Sequence, residues 1–168
     1  MSEASTNPKV AEIRVSVQQS CAELVQIMEG PLAKLDPLQL YAMPAKDEWT
    51  IMQNLAHILE FMPYWGNQIA QLVAAPGSNF GRVAQDEKRL RFIAEHERDT
   101  LPQVLAAFPA SYAQLEEVLG RLTDSDLAIT GRHVKYGERP LEWFIHEFVT
   151  QHLKDHVVQL KAEMEAVR

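Results

Sequence analysis

Between Pro8 and about Leu35 the apolar residues Val10, Ile13, Val17, Cys21, Leu24 and Met28 recur every three or four positions, the spacing that draws one stripe along an α-helix. Asp36-Pro37 and Pro44 then mark a connection, LDPLQLYAMPAKDE, with enough apolar members to lie against a bundle. A second helix opens at Thr50-Ile51-Met52-Gln53, where the threonine hydroxyl and glutamine amide are spaced to satisfy backbone groups of the first turn. Its packing stripe is Ile51, Leu55, Ile58, Met62 and Ile69, and Pro63, which has no N–H, predicts a kink inside it. APGSNFGR ends this helix and the charged segment DEKRLRFIAEHERD follows. Thr100 and Gln103 repeat the capping pattern and open a helix to about Leu122, with a kink or break expected at Pro109. TDSDLAITGRHVKYGERP reads as a long irregular connection with one helical turn at Asp124 to Leu127, the kind of loop that often borders a site. Pro140 suits the first turn of a last helix reaching about Ala166, with the stripe Leu141, Ile145, Phe148, His152, His156, Gln159 and Leu160. No segment carries a strand pattern. The prediction is an all-α four-helix bundle with long crossover loops, a single domain over 1–168 whose first eight residues form a flexible tail.

Composition narrows the partners. Hydrophobic residues are 46% and charged residues 23% of 168, ordinary values for a soluble chain with a proper core. A formal charge of -7 repels phosphate backbones, so nucleic acid is not an expected partner. The apolar runs are far too short to cross a bilayer, and MSEASTNPKV has no secretion-signal pattern, so a cytoplasmic protein is expected. The single cysteine, Cys21, falls in the helical stripe and reads as a buried small hydrophobe.

The stripe of the last helix contains an anomaly. His152 and His156 are one turn and about 40° apart, so both imidazoles leave the same side of the helix. Each carries a donor and an acceptor, and burying either without a partner costs ~1–3 kcal/mol. A divalent metal would satisfy them, and so could carboxylates, backbone carbonyls or trapped water. Of the other histidines, His146 projects about 120° from His152, His96 reads as a surface position, and His133 lies in the long loop, where it could border a pocket. His57 shares a second, semi-polar stripe of its helix with Asn54, Phe61 and Tyr64. That stripe could line a pocket or face solvent.

EWTIMQNLAHILEFMPYW and PLEWFIHEFVTQHLKDHVVQL, taken with FGR and LTDSDLAITGRH between them, resemble the DinB/YfiT-like superfamily over nearly the whole chain. The resemblance implies a four-helix bundle in up-down-down-up connection and one divalent metal held by three histidines, here His57, His152 and His156. It also implies homodimers and, among its activities, thiol-dependent S-transferases and isomerases that use low-molecular-weight thiols such as bacillithiol or mycothiol.

Three neutral imidazoles would leave the metal's double charge uncompensated and a coordination position open, the catalytic arrangement. Such a site activates water or a thiol for attack on a small electrophilic substrate. Zinc suits the donor set best, and nickel or iron would accept it. Glu60, one turn after His57, and Gln159, one turn after His156 in the buried stripe, are placed to touch the site, although a solvated Glu60 serves the sequence equally well. Trp49, Trp65, Trp143, Phe61 and Tyr64 could wall a pocket or fill the core, and Arg82 could bind an anion or lie on the surface. The leading expectation is a metal-dependent transferase or hydrolase. A non-catalytic metal- or thiol-binding protein and a metal-free helical dimerisation module are the alternatives.

Overall fold

The computed structural model describes residues 6–168. Of the expected tail, residues 1–5 lie outside the described residues, whereas Asn7 is anchored: its side-chain oxygen accepts the Asp124 N–H at 2.9 Å. Helix α1 spans Pro8–Glu29 and is followed by a 3-10 turn, Leu32–Lys34, and a short helix α2, Pro37–Leu40. Then come α3 (Ile51–Ala74), α4 (Glu87–His96) and α5 (Leu101–Leu119), a 3-10 turn at Asp126–Ala128, strands β1 (Thr130–His133) and β2 (Gly137–Pro140), and the helices α6 (Leu141–Ile145) and α7 (Gln151–Ala166). Helices α1, α5, α3 and α7 form a ring in that order, each packing on the next and α7 closing back onto α1. Helices α1 and α3, the first two long helices of the chain, are therefore not ring neighbours, as long crossovers permit.

Both expected capping boxes form. Thr50 Oγ1 accepts the Gln53 N–H at 3.1 Å while Gln53 Oε1 accepts the Thr50 N–H at 2.8 Å, and Thr100 and Gln103 do the same at α5. Helix α3 runs unbroken through Pro63, and α5 through Pro109, where a break was one expectation. Pro63 leaves the Leu59 carbonyl without its helical donor. The Ser111 hydroxyl of α5 donates to that oxygen at 2.9 Å, so the neighbouring helix supplies the missing bond. The two helices run close together at Gly66, where an added Cβ would be in van der Waals contact with the Gln114 carbonyl at 3.4 Å.

Three features depart from the sequence reading. The charged segment after α3 is itself a helix, α4, capped by Asp86, whose side chain accepts the Arg89 N–H at 3.0 Å. The long connection contains an antiparallel hairpin, β1 with β2, in the register Thr130↔Pro140 to His133↔Gly137. It carries no strand signature because the buried members of β1 are Gly131 and His133 and every residue of β2 is exposed, which leaves no apolar alternation to read. Residues 78–80 join it as a third rung: Arg132 donates to the Ser78 carbonyl at 3.0 Å and accepts from Phe80 N–H at 2.9 Å.

The last helix is interrupted by a π-helical turn, His146–Thr150, in which the Gln151 N–H reaches back to the His146 carbonyl. One extra residue rotates everything downstream by about 100° relative to an unbroken helix. Val149 therefore takes the core position that the simple stripe gives to Phe148, and Phe148 and His152 turn towards a cavity on the side of the bundle. Cys21 is buried, with its thiol 3.9 Å from Met62 Sδ. Burial, helped by Glu116, pushes that thiol up to about 12, so it stays protonated at neutral pH.

Candidate metal centre

Helix α3 is buried almost all round because α5, α7 and α4 pack on it. This decides the open question about His57. Its semi-polar stripe faces the interior, and Asn54, His57 and Phe61 are all buried. The π-turn brings α7 up from the other side. Donor atoms of His57, His152 and His156 lie within 4.8 Å of one another, with His57 Nε2 3.3 Å from His152 Nε2. Phe61 floors the cluster, its ring centroid 4.8 Å from that of His152, 5.3 Å from that of His57 and 5.6 Å from that of His156.

These imidazoles are held neutral. Burial is the main cause in each case. It lowers His152 to about 4 and His156 to about 3, the latter helped by His152, and it lowers His57 with added repulsion from His156 and Arg89. Neither nitrogen of His156, nor Nδ1 of His57, has a hydrogen-bond partner in the protein. Orphaned buried nitrogens of this kind cost free energy unless something else engages them. The donor set is chemically suited to a divalent metal of intermediate softness.

Glu60 is not solvated. Its carboxylate is half-buried against Arg82, whose guanidinium donates to Oε2 at 2.6 Å, and the same oxygen is 3.8 Å from His57 Nδ1. That is too long for a hydrogen bond but on the ring edge opposite His152. Arg82 is likewise no surface residue. It stacks over Tyr64 at 3.7 Å and pairs with both Glu60 and Asp86. Gln159, placed in the buried stripe by periodicity, is exposed after the π-turn's rotation. Its amide still donates to Glu163 Oε1 at 3.0 Å.

A cavity of about 460 Å³ opens beside the cluster and is lined by His57, His152, Trp65, Phe148, Arg82 and Arg89 among others. Trp65 and Phe148 stack with centroids 4.6 Å apart. Trp49 meets His57 edge-on at 5.4 Å, while Trp143 packs on Phe144 and does not line the cavity. His133, expected in a flexible loop, is buried in β1 and lines the cavity, its Nδ1 accepting the Lys135 N–H at 3.0 Å. His96 and His146 are away from the cluster. His96 pairs with Asp99 at 2.7 Å and His146 is exposed.

Gly81 locks this wall. Its φ of +82° is one that L side chains rarely adopt, and a Cβ there would lie 2.8 Å from His133 Cδ2. Gly81→Ala is expected to lower unfolding stability by about 1–2 kcal/mol, measurable by urea denaturation; an unchanged midpoint and slope would contradict the fit.

No curated protein matches the sequence. Among solved structures, YfiT from Bacillus subtilis, described as a probable metal-dependent hydrolase with an unusual four-helix bundle topology, superposes with a TM-score of 0.72 at 15% identity, covering 98% of this chain and 93% of that one. A mycothiol-dependent maleylpyruvate isomerase superposes with a TM-score of 0.67 at 12% identity over 90% of this chain, which spans 60% of the isomerase. At such identities the likeness is one of fold. Among the described residues no helix is long and apolar enough to cross a membrane. The sequence pattern of the DinB superfamily matches residues 22–160, a stretch that contains all three converging histidines and the cavity beside them, and on that match the chain belongs to the DinB superfamily.

Proposed function

We propose that the protein is a divalent-metal-dependent enzyme, with His57, His152 and His156 as ligands, that activates a thiol or water for transfer to, or hydrolysis of, a small electrophile. The observation that carries this reading is the convergence of three neutral imidazoles, two buried and one half-buried, whose donor atoms lie within 4.8 Å of one another while the nitrogens of His156 find no partner in the protein. The likeness to a probable metal-dependent hydrolase and to a mycothiol-dependent isomerase supports it. When bound, a divalent metal, zinc by preference, supplies a Lewis acid with an open position that lowers the pKa of a bound water or thiol.

The chain's own residues do the rest. Phe61 closes the inner side of the cluster to water. The Glu60 carboxylate, held by Arg82, lies on the Nδ1 edge of His57 and favours the tautomer with its proton there, leaving Nε2 as the donor. Trp65 and Phe148 offer an apolar wall to a carbon skeleton.

The test is a panel of low-molecular-weight thiols, and water alone, against electrophiles, run with zinc-loaded, nickel-loaded and chelator-treated protein. Turnover that disappears on chelation and returns with metal is expected. Stoichiometric metal without turnover across the panel would replace the enzyme with a metal or thiol carrier.

A further inference from the structure

The cavity contains a guanidinium whose chemistry the metal reading does not use. Arg89, in the first turn of α4, lies with its guanidinium carbon 4.8 Å from the centroid of Trp49, the ring that meets His57 edge-on. One of its N–H groups donates to the Ala84 carbonyl at 2.7 Å. A ring on one face and a carbonyl at one edge thus fix the fork, and the residue lines the same cavity as His57 and His152. Among the described residues it forms no ion pair, because the acids close to it, Glu60 and Asp86, are engaged by Arg82. A guanidinium has five N–H donors in a planar fork that matches an oxyanion in two places at once.

The other charges around the cavity do not supply that oxyanion. Lys135 adds a further cation, while Asp155 and Glu147 are exposed, and Asp155 already accepts from the Gln151 amide at 2.8 Å. Arg89 borders the same cavity as His57 and His152, so a divalent ion at the cluster would face a second cation there. A half-buried cation beside a second cation is balanced by an anion between them.

We propose that Arg89 is the specificity-determining residue of the cavity, and that the substrate is a small molecule with a carboxylate or phosphate group gripped by this guanidinium while its reacting end faces the three histidines. The carbon skeleton between lies along Trp65 and Phe148. This deepens the metal-dependent reading and rests on it for the chemistry, but not for the anion contact itself.

The experiment is calorimetric titration of succinate and, separately, inorganic phosphate into zinc-loaded and metal-free protein, with uncharged succinamide as control. At least one anion is expected to bind and succinamide not to. Arg89→Gln should weaken that binding roughly 10–100-fold, whereas Lys88→Gln, which removes the same charge from an exposed neighbouring position, should leave it nearly unchanged. Equal affinity in wild type and Arg89→Gln, or no binding of either anion to wild type, overturns the proposal. If the glutamine variant does not fold, Arg89→Lys keeps the charge but not the fork and should weaken binding in the same direction; undiminished affinity there counts against the assignment. Metal content measured on the same samples separates the two ideas, since a chain that holds no metal yet binds the anion through Arg89 keeps this inference and loses the metal centre.

Discussion

Protein purified without chelator is expected to contain about one divalent metal per chain, and His57→Ala, His152→Ala and His156→Ala should each reduce that to a small fraction. The expectation follows from geometry and charge together. The donor atoms already converge, burial keeps the rings in the neutral form that binds metal, and no protein group competes for the nitrogens of His156. Removing one of three ligands leaves two, too few for a tight site on the usual pattern of three protein ligands and an open position. Zinc at about 100 times its dissociation constant should stabilise the wild type by about 2.7 kcal/mol and the variants by little. His146→Ala, at an exposed position off the cluster, should retain the metal. Elemental analysis and thermal unfolding with and without zinc decide the matter. A melting temperature indifferent to zinc and nickel would favour a packed helical module instead.

Glu163→Gln is expected to stabilise the protein at pH 8 and to change it little at pH 4. Glu163 is buried on α7. Its Oε1 accepts from Asn54 Nδ2 at 2.5 Å and from Gln159, while Oε2 and Asn54 Oδ1 have no partner. Burial raises this carboxyl from 4.5 to about 7, against the Gln159 hydrogen bond and with some help from Glu48. Between those two values the folded chain keeps a proton that the unfolded chain releases, so stability falls as pH rises through the window. The loss is absent below 4.5 and complete above about 7. Its size is on the order of 3 kcal/mol, and a glutamine, neutral throughout, removes it while retaining an oxygen for Asn54 and Gln159. Urea midpoints of wild type and variant across pH 4 to 8 should therefore diverge on going up. Parallel curves would mean that the wild-type carboxyl titrates normally.

The four long helices were legible because each has a 3.6-residue stripe and, for α3 and α5, a capping box that the structure forms. The histidine pair was legible for the same reason, since four residues on one helix fix a direction. Periodicity alone did not place His57, whose semi-polar stripe suited interior and solvent equally; the family resemblance named it, and the stripe lies inside because α4, α5 and α7 all pack on α3. Gln159 was misplaced by the π-turn, whose added residue has no sequence pattern of its own and shifts every later position. The ion pair of Arg82 with Glu60 joins residues 22 apart across a turn that Gly81 makes possible. Both are charged types that local sequence places on the surface by default. Arg89 escaped for a similar reason, as its ring partner Trp49 lies on the far side of α3 in sequence.

His57 and His152 are 95 positions apart along the chain. A ribosome that has completed α3 has made one of the three donors and must still produce the hairpin and the last helix before the other two exist. Local pairing of His152 with His156 can precede docking, but the triad arises only when the final rod seats against the second. Any ion held there is thus captured when α7 docks on α3 and released when that docking reverses, which ties retention of the ion to the integrity of the packing between these two helices.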